Sequence, residues 1–380
     1  MEALLYCCCG LDIHRDVIEA CILRGEEQQP ETIRASFSAE RAGLKALLKW
    51  TEEQECYSIA MESTGVYWIP VYEAFEENAK YLETLWVVNP RHMRNLPGRK
   101  SDVKDAEWIA TLLRHGLLEK SFIPSKDIRT LREFARLRRN IIEERASNLN
   151  RLERLLQNRG FKFSSVMSNI YGVSGKALLY ELRDTGCISE EFVEEKCRRL
   201  KRPISEICDA VCGTLSSAEQ VLLRELLEII DFEESKINGL SETMSQLAEQ
   251  YNAQVSLLTS IPGISNDSAM EIIAEISEAP QEHFDSAAKF SSWVGVCPRN
   301  DESAGSVKCR KILHGNTHLK ALLCELAWVS VRSRKSVFHD WYWARAGKLG
   351  KKKAIIAVAH KLTVLIYTIL KSDRPYSSTV

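Results

Sequence analysis

At 380 residues, with 45% hydrophobic and 27% charged side chains, the chain is long enough for two or more domains and too apolar to be disordered. A formal net charge of -1 says nothing by itself about an anionic partner, but its distribution does. Lys126 to Lys162 holds eleven Lys/Arg against five acids, Val331 to Lys353 eight against one, and Ala218 to Glu249 two against eight. Two basic surfaces and an acidic helical segment are therefore expected within one neutral chain. Twelve cysteines suit a disulfide scaffold only in a short secreted chain; with no CxxC and no signal peptide ahead of the first apolar stretch, a reducing cytoplasm is expected.

"LLYCCCGLDIHRDVIEACIL" predicts two short apolar strands around a polar turn, with Asp12 at the end of the first, and "ETIRASFS" a third. "RAGLKALLKWTEEQ" has helical spacing, "CYSIAMESTGVYW" is a strand running into a turn with Glu62 at its edge, and "YLETLWVVNP" is a further strand. "SDVKDAEWIATLLRHG" closes the region as a helix, with Asp102 and Asp105 spaced i, i+3 on one face of its first turn. The pattern predicts an α/β domain, a mixed sheet with helices on its faces, in which four acids converge on one edge. Such a cluster ionises cheaply only around divalent cations, and hard oxygen ligands suit Mg²⁺ or Mn²⁺. A pair of these ions would stabilise the attacking and leaving oxygens of phosphodiester chemistry. The plainer reading keeps Asp12 and Glu62 as turn acids and Asp102 and Asp105 as residues favoured by the helix dipole. Nucleotide hydrolysis fits poorly. His14 and Arg15 stand where a phosphate loop needs small residues, and "GVSGKAL" lacks the spacing and the hydroxyl of a Walker loop.

"IRTLREFARLRRNIIEERASNLNRLERLLQNRGFKF" predicts one long helix, with Leu131, Leu149, Leu152 and Leu156 among its apolar positions. Its arginines, including Arg132, Arg136 and Arg139, either pair with its own acids or track a nucleic-acid backbone. A second tract, from about Ser216 to Tyr251, is acidic and Leu-rich and is expected to return antiparallel beside the first, with coiled-coil dimerisation as the natural extension.

"LLTSIPGISNDSAMEIIAEI" places a Pro-Gly turn before a helix opening at about Asn266, like the hairpin of helix-hairpin-helix modules. "NDESAGSVKCRK" sets Ser303 between two acids and a basic run, on a small-residue turn. Cys297, Cys309, His314 and His318 form a C-x11-C-x4-H-x3-H arrangement without the close cysteine pair of zinc modules, and no role is assigned to it. "AIIAVAHKLTVLIYTIL", broken by His360 and Lys361, reads as a buried helix rather than a membrane span.

Taken in order, "GLDIHRD", "MESTGVYW", "NPRHMRNLPGRKSDVKDAEWIA", "LTSIPGIS", "WVGVCPRNDESAG", "HGNTHLKALLCELAW" and "KKKAIIAVAHKL" resemble the insertion-sequence transposases of the IS110/IS1111 group, which are bridge-RNA-guided DEDD/serine recombinases. The resemblance covers nearly the whole chain. It implies a RuvC-like (ribonuclease-H-like) domain over residues 1–125, a long helical, coiled-coil-like middle over 126–252, and a mainly α C-terminal transposase domain over 253–380. The family's metal-binding acids fall on Asp12, Glu62, Asp102 and Asp105, and its nucleophile on Ser303, which would form a phosphoserine link to DNA. Relatives usually carry lysine directly after the glycine of this motif. Here Ser306, itself a second candidate hydroxyl, and Val307 precede Lys308, so Lys308, Arg310 and Lys311 are the candidates to neutralise the phosphate. Asn316, before the next helix, is a further candidate nucleic-acid contact. The implied partners are double-stranded DNA at the element ends and target and a structured bridge RNA. The implied state is a homodimer or homotetramer in a prokaryotic cytoplasm, associated with the nucleoid and not with a membrane. Two alternatives stay open: a resolvase-like endonuclease that cuts branched DNA with the four acids alone, and a non-catalytic nucleic-acid-binding protein.

Overall fold

The computed structural model describes residues 3–26, 29–63, 65–90, 105–298, 301–303, 306–309, 312–334 and 336–377. The backbone divides into two compact units, Met1–Ile123 and Pro124–Val380.

The first unit is built on a five-stranded sheet: β1 (Cys7–Ile13), β2 (Val17–Arg24), β3 (Glu31–Ser38), β4 (Ser58–Glu62) and β5 (Thr84–Val88), in the order β3-β2-β1-β4-β5. β1, β2 and β3 are antiparallel neighbours, whereas β4 pairs parallel with both β1 and β5. The expected mixed sheet is observed. Because side chains alternate along a strand, the run "CCCGLDI" feeds two cores at once. Cys9, Leu11 and Ile13 join Ile18, Ile22 and Met61 beneath α1 (Arg41–Glu53) and α2 (Trp68–Asn78), burying Leu47, Val71 and Phe75. Cys8, with Cys21, Ala60 and Val88, packs on the opposite face against Ile109, Ala110 and Leu113 of α3 (Asp105–Arg114). A strand buried on both faces cannot show clean apolar-polar alternation, which is why β1 reads as a continuous apolar run.

In the second unit α4 (Lys126–Gln157) starts at Ser125, whose hydroxyl accepts from the Ile128 amide. A helical module follows, with α5 (Phe163–Val166), α6 (Val173–Thr185), α7 (Glu190–Lys196) and α8 (Ile204–Val211), plus the two-residue strands β6 (Cys187–Ile188) and β7 (Gly213–Thr214). The chain then returns as α9 (Ser217–Leu247), which opens with a capping box between Ser216 and Glu219. Arg138 pairs with Ser241, Asn148 with Glu233 and Arg159 with Glu219, so α9 runs antiparallel to α4, as its sequence predicts. Leu152, Leu156, Phe163, Leu178, Leu182, Leu223 and Leu227 form the core that ties the module to the hairpin.

The remainder is α10 (Asn252–Thr259), α11 (Asn266–Ile276), α12 (Ala287–Val294), the hairpin β8 (Asp301–Ser303) and β9 (Ser306–Cys309), α13 (Thr317–Arg332), α14 (Val337–Leu349) and α15 (Lys351–Ser372). The Pro-Gly turn between α10 and α11 is where the sequence places it, with the Ser265 hydroxyl capping α11. Among the described residues α15 is the one helix long and apolar enough to cross a membrane. Ten of its residues, from Ala354 to Leu370, are buried in the unit, which makes it a core helix.

Candidate active site

Three of the four expected acids are described, and all three lie on the α3 face of the sheet. Along β1, Asp12 shares a face with Cys8 and Gly10; along β4, Glu62 shares it with Ala60; and the parallel pairing of Leu11 with Met61 puts the two acids side by side. Asp105 opens α3, which lies across that face. Gly10 permits the approach. A Cβ there would sit 2.1 Å from the Ala106 carbonyl oxygen and 2.5 Å from the Ala110 nitrogen, so any side chain would lift the helix away. Burial pushes the half-buried Asp12 carboxyl above its usual range; His14 opposes this, and the like charges of Asp105 and Glu62 add to it. Asp102 lies outside the described residues.

The sequence reading missed two features of this edge. His14, read there only as an obstacle to phosphate, holds its Nε2 3.2 Å from the Asp12 Oδ2. Glu19 stands opposite Asp12 on β2 and accepts a 2.9 Å hydrogen bond from Ser36 Oγ. The signal for Glu19 was the two-strand register, in which a tight polar turn fixes the partner of every residue.

An all-carboxylate set in which Asp105 and Glu62 add to the raised proton affinity of Asp12 is the chemistry that a hard divalent cation satisfies. Among the described residues no three His, Cys, Asp or Glu side chains already stand together at metal-holding spacing. That statement covers Cys297, His314 and His318; the Cys309 side chain lies outside the described residues.

Ser303 ends β8 and pairs across a two-residue connection with Ser306 at the start of β9, at the tip of a hairpin that carries Lys308 on its second strand. An isolated bridge between Pro298 and Ile312 continues the ladder towards its root. There Gly295 (φ 84°) and Gly315 (φ 55°) lie back to back, and a Cβ on Gly315 would come within 2.3 Å of the Val294 carbonyl oxygen. Only glycine tolerates both the left-handed backbone and that approach. Arg310 and Lys311 lie outside the described residues, as do the side chains of Ser303 and Lys308.

The arginines of α4 turn inward. Arg132 donates to the carbonyl oxygens of Ala274 and Glu275 at 2.8 and 3.0 Å, and Arg136 makes a bidentate pair with Glu275 at 2.8 and 2.9 Å. Arg139 is paired with Glu325 and Glu143. Arg132, Arg136 and Arg139, expected either to pair with acids of their own helix or to track a nucleic-acid backbone, are engaged in a seam inside the unit: Glu143 of α4 takes part at Arg139, and the other acids, Glu275 and Glu325, lie on α11 and α13, far away in sequence. Arg138, not singled out from the sequence, is buried deepest and binds Asp267, Glu271 and Ser241. Asn316, expected to contact nucleic acid, caps α13. Its Oδ1 accepts from the Leu319 amide at 3.1 Å and its Nδ2 donates to Glu275 at 2.7 Å. Burial raises the Glu275 pKa, but the Arg136 hydrogen bonds, the Arg132 charge and Asn316 outweigh it, leaving the carboxyl below its usual range.

Residues 9–159 match the family model of the DEDD transposases of IS110, and residues 255–342 match that of the transposase IS116/IS110/IS902 family. Among curated proteins, the chain is 23% identical over 325 residues to the "Probable family 20 transposase" of Pseudomonas aeruginosa, covering 84% of this chain and 85% of that one. It is 25% identical over 163 residues to the "Pilin gene-inverting protein" of Moraxella bovis, covering 39% of this chain and 50% of that one. The two family models fall on the sheet with its acids and on the helices that flank the Ser303 hairpin. The chain belongs to the IS116/IS110/IS902 family of transposases and is a DNA transposase.

Proposed function

We propose that this transposase cuts and rejoins DNA through a covalent phosphoserine intermediate on Ser303, assisted by divalent metal held by Asp12, Glu62, Asp102 and Asp105. The observation that carries the metal half is the juxtaposition of Asp12, Glu62 and Asp105 on one face of the sheet, set by the Gly10 approach. The β3-β2-β1-β4-β5 order, with acids on β1, β4 and the helix after β5, supports a RuvC-like fold for this unit. When bound, Mg²⁺ or Mn²⁺ would supply charge stabilisation for the reacting phosphate.

The chain's own residues do the rest. Ser303 Oγ gives up its proton as it bonds to phosphorus, and the bond from phosphorus to one deoxyribose oxygen breaks, that oxygen leaving as a hydroxyl that takes up a proton. Reversal with the hydroxyl of another strand releases the serine, so bond energy is conserved and no nucleotide is hydrolysed. The placement of Ser303 at a hairpin tip supports this role, since a nucleophile must reach its phosphate. Lys308, Arg310 and Lys311 follow closely enough to take the phosphate charge. Target choice is assigned to a structured bridge RNA by base pairing, and the working form is a dimer or tetramer.

Denaturing gels of reactions on labelled element ends test the core of this reading. Ser303→Ala should abolish the covalent protein-DNA adduct, and Asp12→Ala or Asp105→Ala should abolish strand transfer while leaving RNA binding intact. Normal recombination by Ser303→Ala would sink the assignment, and metal-dependent cleavage without an adduct would point to the resolvase-like alternative. Light scattering that shows a monomer on both DNA and RNA would remove the oligomer.

A further inference from the structure

The elbow where α14 meets α15 concentrates six cations of the second unit whose charge is not spent on carboxylates. Gly350 (φ 82°) makes the bend, and around it Arg345, Lys348, Lys351, Lys352, Lys353 and Lys361 are all exposed. None of the six has a carboxylate partner among the described residues. Asp340, the single acid between Val331 and Lys353, is taken by His339 at 2.9 Å. Arg345 and Lys361 lie over the Trp341 ring, 4.5 and 5.1 Å from its centroid, one from each helix. A ring face fixes a cation in place without cancelling its charge, so this contact holds the patch together and leaves it positive.

The three lysines also open α15, at the positive end of its macrodipole, with no side-chain cap. Like charges placed against one another and against the dipole oppose helix stability, and a polyanion lying across the elbow relieves both. Five of the six cations are lysines, compact point charges that suit phosphate oxygens rather than the forked recognition of base edges.

We propose that the α14-α15 elbow is a sequence-independent surface for the backbone of duplex DNA. It rests on the reading of the chain as a DNA transposase, and it places phosphate contact on α14 and α15 instead of on the arginines of α4.

The test is equilibrium binding in EDTA by the full-length Ser303→Ala chain, using fluorescent duplexes of two unrelated sequences over a salt series. Replacing Lys351, Lys352 and Lys353 together by alanine should weaken both duplexes equally, by at least about tenfold, and flatten the salt slope by about one per lysine. The glutamate triple should weaken them further, with the circular dichroism spectrum unchanged and the melting midpoint not lowered in either variant. Unaltered affinity and slope in the glutamate variant would overturn the proposal. So would a loss confined to structured RNA of equal charge, or to anionic phosphatidylserine vesicles, with duplex binding intact. Because no bond is made or broken in EDTA, these outcomes are read apart from the adduct assay that decides the role of Ser303.

Discussion

Helix α4 and the α14-α15 elbow are both rich in Lys and Arg, yet their charges meet opposite fates. In the first half of α4, Arg132, Arg136, Arg138 and Arg139 are matched by Asp267, Glu271, Glu275 and Glu325, and the Arg138 side chain is only 10% exposed. At the elbow the cations stand in solvent, and Trp341 orders two of them without neutralising them. A count of basic residues therefore measures two different things: seams that hold helices together, and surfaces that remain available to an anion. What separates them is the presence of acids on whichever helix packs alongside.

Mutations at the two places should sort accordingly. The largest effect is expected for Arg138→Ala, which strands the largely buried Glu271 and unpairs the more exposed Asp267. A loss of about 3 to 5 kcal/mol in urea unfolding is expected, and a loss below about 1 kcal/mol would show that the seam is solvated. Next comes Glu275→Gln, which removes the shared partner of Arg132, Arg136 and Asn316 and should cost about 1.5 to 3 kcal/mol at neutral pH. Its pH dependence has a definite sign. The folded carboxyl lies below its unfolded value, so its contribution is present above the ordinary glutamate pKa of about 4.3 and is lost as pH falls through the folded value. The glutamine variant should accordingly show a flatter stability profile below that pH, and an unchanged profile would place the acid sensitivity elsewhere. The smallest effect belongs to the elbow: Lys351→Glu should move stability by no more than about 0.5 kcal/mol, in the favourable direction if at all. A marked loss there would mean that the elbow, like α4, is a structural seam.

The same contrast explains what could be read from the amino-acid order. The strands, α1 and the antiparallel return of α9 follow from local periodicity, and Asp12 and Glu62 sit at strand ends because the apolar runs stop there. That they share a face was implicit in parity once β1 and β4 pair in parallel. The pairing of Arg132, Arg136 and Arg139 with α11 and α13 was not legible, because those partners come from more than 100 residues further on and only tertiary packing brings them together. The capping role of Asn316 was overlooked although its signal was local: an asparagine directly before a helical run is first of all a cap. Gly10 escaped for a third reason. Its importance lies in how closely α3 approaches β1, and a linear pattern does not carry that distance.

The paired glycines at the root of the Ser303 hairpin also bear on how this protein can change. Since Gly295 and Gly315 meet backbone to backbone, the segment between them leaves the helical body and re-enters it at one point. Lengthening such a closed loop is thermodynamically mild, about 0.6 kcal/mol for each doubling. The hairpin is thus an exchangeable cassette. Insertions that leave Ser303 and the basic residues after it in place change its reach, while α12 and α13 on either side keep their register.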